Sequence, residues 1–269
     1  MSATIFLHEL RSRIKSILSW SIALVAMILI FLSIFPTFAA QAEIINQALT
    51  NFPPALLAAF GMNQVNLGTI LGYYSFIFLF TQLCIAIQAG NYGFGLVSVE
   101  ETELTADFLV SKPVSRSQIL TSKLLAAITS LVITDVVVWV STIIGFMFFR
   151  GGQQVDTRTV VLLSLSLLVF QLFFLSLGLV ISLLVKRVRS VTPYSLGLGF
   201  GMYVLSAFSG LEGVSVLETI TAFKHFDPNY IIQHVAYNTP LVLLDVVIII
   251  ISVVVSYWLY LRRDIPAVS

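Results

Sequence analysis

The sequence predicts an all-α polytopic membrane protein with six transmembrane helices and both termini in the cytoplasm. Three observations predict it. Of the 269 residues, 58% are hydrophobic and only 10% charged, whereas a water-soluble domain carries roughly 25% charged residues. The apolar residues gather into six stretches near the length of about 20 residues that crosses a hydrocarbon core of roughly 30 Å. The basic residues fall almost wholly on one side of those stretches. The near balance of 14 Lys+Arg against 13 Asp+Glu argues against nucleic acid as a partner. The single cysteine, Cys84, excludes an intramolecular disulfide framework and any multi-cysteine metal site.

The predicted spans run over 17–38, 69–89, 124–149, 160–185, 194–211 and 241–261, the fifth being short and glycine-rich. Orientation follows from the tendency of Lys and Arg near span ends to stay in the cytoplasm. With the N-terminus inside, the cytoplasmic segments carry Arg11, Arg13, Lys15, Lys112, Arg116, Lys123, Lys186, Arg187, Arg189, Arg262 and Arg263, and the other side only Arg150, Arg158 and Lys224. Charges, an apolar run and Ala39-Ala40-Gln41-Ala42 mimic a secretory signal, but the run exceeds the roughly 7–15 residues of a signal's apolar core. Ahead of the first span, Phe6, Leu10, Ile14 and Ile17 share one helical face, so 1–16 is expected to form a helix lying flat in the cytoplasmic interface.

Between the second and third spans lies the most charged stretch of the chain. Glu100, Glu101, Glu103 and Asp107 crowd its first half, and Lys112, Arg116 and Lys123 its second. Acids at a helix start and bases at its end complement the macrodipole, which predicts a short helix over 100–111. Leu104 and Phe108, four apart, give it an apolar face; Pro113 stops it, and Ser115 can cap the helix leading into the third span. A short helix with an exposed apolar pair at the membrane face suits docking into a partner's groove, against the plain alternative of a solvated connector.

This stretch resembles the cytoplasmic loop of ABC-2 type transporter permeases, where acidic residues precede Gly-Thr, two or three leucines, Ser-x-Pro-Val-Ser-Arg and a later lysine. The matching residues are Glu100, Glu101, Thr105, Phe108-Leu109-Val110, Ser111, Pro113-Val114-Ser115-Arg116, Ile119 and Lys123, with Leu104 in place of the family's glycine. Farther on, Phe223-Lys224-His225-Phe226-Asp227-Pro228 resembles the family's Pro-Phe-Lys-Tyr-Phe-Asp-Pro stretch, with Ala222 in place of the leading proline. The basic Arg262-Arg263-Asp264 ending is similar as well. The resemblance implies one transmembrane domain over 1–269, working as half of a transporter. A second permease copy, identical or related, would complete the membrane path. A cytoplasmic ATPase subunit, carrying the ATP and Mg, would dock on the coupling region 100–116 through Glu100, Glu101, Leu104, Thr105, Phe108, Leu109, Pro113 and Arg116.

Catalytic signatures are missing from the sequence. No Gly-x-x-x-x-Gly-Lys-Ser/Thr, His-Glu-x-x-His or Gly-x-Ser-x-Gly occurs, so the chain is expected to be no enzyme and to hold no cofactor or metal of its own. Gly151-Gly152-Gln153 resembles part of an ATPase signature but reads as an outer turn. His225 and His234 share the outer loop without a third ligand nearby.

Asp135 and Asp245 lie inside the third and sixth spans, where a charge is costly and faces protein or water. They either line the translocation path or bond to neighbouring hydroxyls. Gly197 and Gly201 have the small-x-x-x-small spacing of a close helix contact, within the subunit or in a permease dimer. The glycines at 90, 93 and 95 either hinge the second span or thin it. Outside the membrane, 41–67 is expected to form one or two interfacial helices. The segment 212–238 is expected to re-enter or lie flat, with Phe223, Phe226 and Tyr230 at headgroup depth.

Taken together, these features predict the permease subunit of an ABC exporter in the plasma membrane of a prokaryote. Its apolar walls suit an amphipathic or hydrophobic cargo such as a peptide, an antibiotic or a lipid. The rivals are an ATP-independent, proton-coupled carrier using Asp135 and Asp245, and a membrane-embedded scaffold or immunity protein.

Overall fold

The computed structural model describes residues 2–53, 56–57, 62, 66–102, 114–185, 188, 190–209 and 215–262, with side chains omitted at 99–102. Every regular element among the described residues is helical. The helices are α1 (Ala3–Ala40), α2 (Ala42–Leu49), α3 (Ile70–Thr102), α4 (Arg116–Phe149), α5 (Thr157–Leu184), α6 (Val191–Ser209), a 3-10 turn (Ser215–Thr219), α7 (Ala222–His225), α8 (Pro228–His234) and α9 (Thr239–Arg262).

Five of them, α1, α3, α4, α5 and α9, are long and apolar enough to cross a membrane. The fifth predicted stretch forms α6, a 19-residue helix whose apolar content is diluted by Thr192, Ser195, Ser206, Ser209 and three glycines.

Side-chain bonds fix the direction of each helix. Ser2 N–H donates to Ser122 Oγ at 2.8 Å, and Leu32 sits beside Gly145, so α1 and α4 run parallel. Tyr92 meets Ser16 at 3.1 Å while Tyr73 reaches the Phe31 carbonyl at 3.1 Å, so α3 runs against α1. Trp139 Nε1 donates to the Ser164 carbonyl at 3.0 Å and Gln171 donates to Asp135, which sets α5 against α4. Ser195 bonds to Asn91 at 2.6 Å, whereas Tyr203 and Ser206 lie across from Ser75 and Leu79, so α6 runs against α3. Tyr237 reaches the Leu162 carbonyl at 2.6 Å and Tyr257 meets Thr121 at 2.6 Å, which runs α9 alongside α5. The result is an alternating bundle with Ser2 and Arg262 at the same end. The widest packing joins α1 to α4 and α3 to α5, around a core that includes Leu32, Phe35, Phe78, Phe170, Phe174 and Phe223.

Two sequence expectations change in form. No break separates 1–16 from the first span: α1 is one helix of 38 residues, roughly 57 Å long and close to twice the hydrocarbon thickness. Nothing between Arg11 and Leu18 terminates a helix, and Glu9 and Arg13 turn toward α3 and α4 rather than toward an interface. Likewise α3 continues past 89 to Thr102, so Glu100 and Glu101 lie in its last turn rather than opening a new helix. Ser115 does cap α4: its hydroxyl accepts from the Gln118 N–H and its own N–H donates to Gln118 Oε1, both at 3.3 Å, a reciprocal capping box.

At the opposite end, Gly151 and Gly152 turn the chain with φ of 58° and 79°, a region that disfavours residues with a Cβ. Gln153 then staples the start of α3, accepting from Ile70 N–H at 2.8 Å and donating to the Gly68 carbonyl at 2.9 Å.

Asp156 caps α5. Its carboxyl is held below the usual aspartate range, first by the Thr159 hydroxyl, then by the Thr159 and Arg158 N–H groups. A carboxyl depressed in the folded state adds stability above its unfolded value and loses it as the pH falls through the folded one. Asp156→Ala is therefore expected to lower the melting temperature at neutral pH. The difference from wild type should close as the pH falls below the 3.8 of a free aspartate. Melting curves of both chains across that range check it; a gap that persists in acid would assign the loss to something other than the ionised cap.

Candidate functional site

The end of the bundle holding Ser2 and Arg262 gathers the side chains that flank the loop 103–113. Lys123, two turns into α4, is 3% exposed, and its ammonium donates to the Leu96 carbonyl of α3 at 2.9 Å and lies 3.6 Å from Glu9 of α1. Glu9 also pairs with Arg13 one turn on, at 3.2 Å. Arg13 in turn sits 5.0 Å from the centre of the Tyr92 ring, and the Tyr92 hydroxyl bonds Ser16. A buried ammonium requires such partners. The chain of contacts ties the first turns of α1 to the last turns of α3 and the first of α4, so both helices leading into and out of the loop rest on one polar junction. Arg116 opens α4 and is half-buried. The backbones of Glu100 and Glu101 close α3. Leu104, Thr105, Phe108, Leu109 and Pro113 lie outside the described residues, as do the side chains of Glu100 and Glu101.

Deeper in the bundle, both intramembrane acids are 0% exposed. Asp135 accepts from the Gln171 side-chain amide. One residue before it, Thr134 accepts from Gln88 at 3.0 Å, so α3, α4 and α5 are joined by amide and hydroxyl groups at mid-depth. Asp245 faces His225, with Nδ1 and Oδ1 2.9 Å apart. Sequence reasoning singled out the two acids but not Gln171 or His225. The signal for the first was available: a glutamine inside an apolar span is itself a costly group that needs a partner. His225 had no such signal, because it belongs to a segment for which re-entry and a position along the surface were both open.

That segment packs in among the helices. Phe223 and Phe226 are each 1% exposed, packed edge-to-face on Phe170 with ring centres 5.1 and 6.3 Å away, and Gln82 of α3 donates to the Phe226 carbonyl at 2.9 Å. Both are buried among the aromatic rings of α5, and of the three aromatics only Tyr230 stays partly exposed, stacked on His234 with ring centres 4.2 Å apart. His225 and His234 therefore serve separate contacts. Among the described residues, no three His, Cys, Asp or Glu side chains converge as metal ligands.

Gly197 and Gly201 on α6 have open space where a side chain would project. The glycines used inside the subunit are others. Gly93 and Gly90 of α3 face Gly178 of α5 where the two backbones cross closely.

A family model described as "ABC-2 family transporter protein" matches residues 3–265, nearly the whole chain. The chain belongs to the ABC-2 transporter family. No curated protein and no solved structure matches it. As an ABC-2 family member it is the membrane component of an ABC transporter, a multi-pass permease whose kind works with a cytoplasmic ATPase. The polar junction beneath 103–113 thus sits in an ABC-2 permease at the base of the stretch that resembles the family's cytoplasmic loop.

Proposed function

We propose that this chain is the permease subunit of an ABC exporter in a prokaryotic plasma membrane. Two permease copies enclose the path, and the region 100–116 couples them to cytoplasmic ATPase subunits that carry ATP and Mg. The observation that carries the reading is the family match across 3–265. The junction at Glu9, Arg13, Tyr92 and Lys123 supports the coupling role, because it makes α1, α3 and α4 respond together to a push on the loop between them.

Six crossings are part of the proposal. The 19 residues of α6 span roughly 28 Å, near the hydrocarbon thickness, and α6 follows α3 along most of its length in the opposite direction. The end holding Ser2 and Arg262 is assigned to the cytoplasm, since Arg11, Arg13, Lys15, Arg116, Lys123 and Arg262 gather there and Arg150, Arg158 and Lys224 at the other. The open faces of Gly197 and Gly201 are assigned to contact between permease copies. The cargo is amphipathic or hydrophobic. The proton-coupled carrier finds no support: Asp135 and Asp245 are both enclosed by side chains of the same subunit.

The test is a mild-detergent pull-down of the tagged chain from its own cells, beside a Leu104→Asp/Phe108→Asp variant. A P-loop ATPase subunit is expected to come down with the wild type, with nucleotide hydrolysis, and to be lost from the variant. A chain that arrives alone, without hydrolysis, would sink the proposal.

A further inference from the structure

The inserted segment between α6 and α9 is held by a contact whose protons can be counted. His225 presents both ring nitrogens to oxygen. Nε2 lies 2.9 Å from the Glu218 main-chain carbonyl, which only accepts, so Nε2 carries a hydrogen. Nδ1 lies 2.9 Å from Asp245 Oδ1. Two lone pairs at that distance repel, so the pair holds at least one proton. The pair is then imidazolium with carboxylate or imidazole with carboxylic acid, and in either form its net charge is zero.

Neutrality is what the site demands. Both side chains are 0% exposed, and Asp245 lies six residues into α9, roughly 9 Å along its axis. Neither Asp245 oxygen completes an aligned hydrogen bond among the described residues, and His225, at 2.9 Å, is the charged partner of the carboxyl. The neighbouring charges are engaged elsewhere: Lys224 and Asp227 face each other at 3.6 Å, and His234 stacks on Tyr230. On the elements packed around the segment, Tyr237 bonds the Leu162 carbonyl, Asp156 caps α5 and the Tyr203 ring of α6 lies against Phe223. A lone carboxylate or lone imidazolium here would cost several kcal/mol, while the shared proton removes that cost.

We infer that His225 and Asp245 form a one-proton latch that fixes the inserted segment 215–234 to α9. The residues on either side of His225 gain their burial through it: Phe223 and Phe226 among the rings of α5, and Ile231, 1% exposed, below them. Releasing the segment means separating the pair, which must first be split into two unpartnered polar groups. The inference concerns the chain itself. It extends the permease reading without depending on it.

The test uses the full chain in detergent, with Cys84→Ala and Ile231→Cys as a buried reporter, read by the rate of labelling with a water-soluble maleimide and by melting temperature. His225→Phe and Asp245→Leu are each expected to raise labelling at least tenfold and to lower melting. Asp245→Asn is expected to stay near the parent chain, because its amide N–H donates to Nδ1 where the shared proton was. The double variant His225→Phe/Asp245→Leu should recover the melting temperature, since two apolar partners leave nothing unpaired. Unchanged labelling in His225→Phe would overturn the latch. So would Asp245→Asn behaving as Asp245→Leu, a comparison that still decides if His225→Phe yields no protein. Failure of the permease reading shows elsewhere, as an ATPase missing from the pull-down.

Discussion

Gly93→Leu is expected to abolish the folded bundle, with the chain recovered only as aggregate after extraction. At this position α3 and α5 approach so closely that a β-carbon would lie 2.3 Å from the Leu175 carbonyl oxygen, 3.0 Å from the Leu179 nitrogen and 3.1 Å from the Gly178 Cα. All three are main-chain atoms, so no rotamer change relieves the clash and the helices must separate. Overpacking a core costs about 1–3 kcal/mol where side chains can adjust, and here they cannot. Separation also strips contacts along one of the two widest interfaces in the molecule. Association between helices in lipid depends on such packing rather than on the hydrophobic effect. Gly93→Ala should fold but melt well below wild type, and Gly201→Ala, with open space at its Cβ, should melt as wild type. Size-exclusion profiles and melting temperatures of the three variants decide it; a monodisperse Gly93→Leu chain with normal melting would show that the crossing is not tight.

The second large effect is at Lys123. Lys123→Glu places a second carboxylate against Glu9 in a site 3% exposed and leaves the Leu96 carbonyl without its ammonium donor. Breaking a buried pair in this way costs about 3–5 kcal/mol. Reversing both charges in Glu9→Lys/Lys123→Glu should recover part of the loss but not all, because a glutamate at 123 cannot donate to Leu96. Neutral Lys123→Met should fall between, since its apolar stem still fills the space. Melting temperatures of the three chains form the measurement. Equal melting for Lys123→Glu and Lys123→Met would mean that Glu9 does not feel the charge at 123.

Span placement was legible because about 20 apolar residues in a row have few other uses. The ends were less legible. Nothing in a hydropathy pattern says that the polar turns before residue 17 or after residue 89 remain helical, and they do so because tertiary partners take up their charges: Glu9 with Lys123, Arg13 with Tyr92. The cap at Ser115 was readable, as a local signal between residues three apart. The polar contacts were half readable. Asp135 and Asp245 stand out against apolar neighbours, but their partners Gln171 and His225 lie 36 and 20 positions away in the sequence, and only the fold joins them. For the segment 212–238 two placements stayed open, because aromatic residues favour both the membrane surface and a packed core, and composition does not choose between them.

The pairing of helices bears on how the chain is made. Sequence neighbours such as α4 and α5 touch sparingly, while each wide interface skips a spanning helix, α1 to α4 and α3 to α5. A chain leaving the ribosome therefore cannot settle as successive hairpins. The first helix waits in the bilayer without its main partner until Phe149 has been synthesised, with Glu9 and Arg13 kept at the membrane surface by water. The second waits until Leu184. The bundle closes late and as a whole, so an interrupted or misinserted chain leaves no finished subunit behind, only unmatched helices for the cell's membrane proteases to remove.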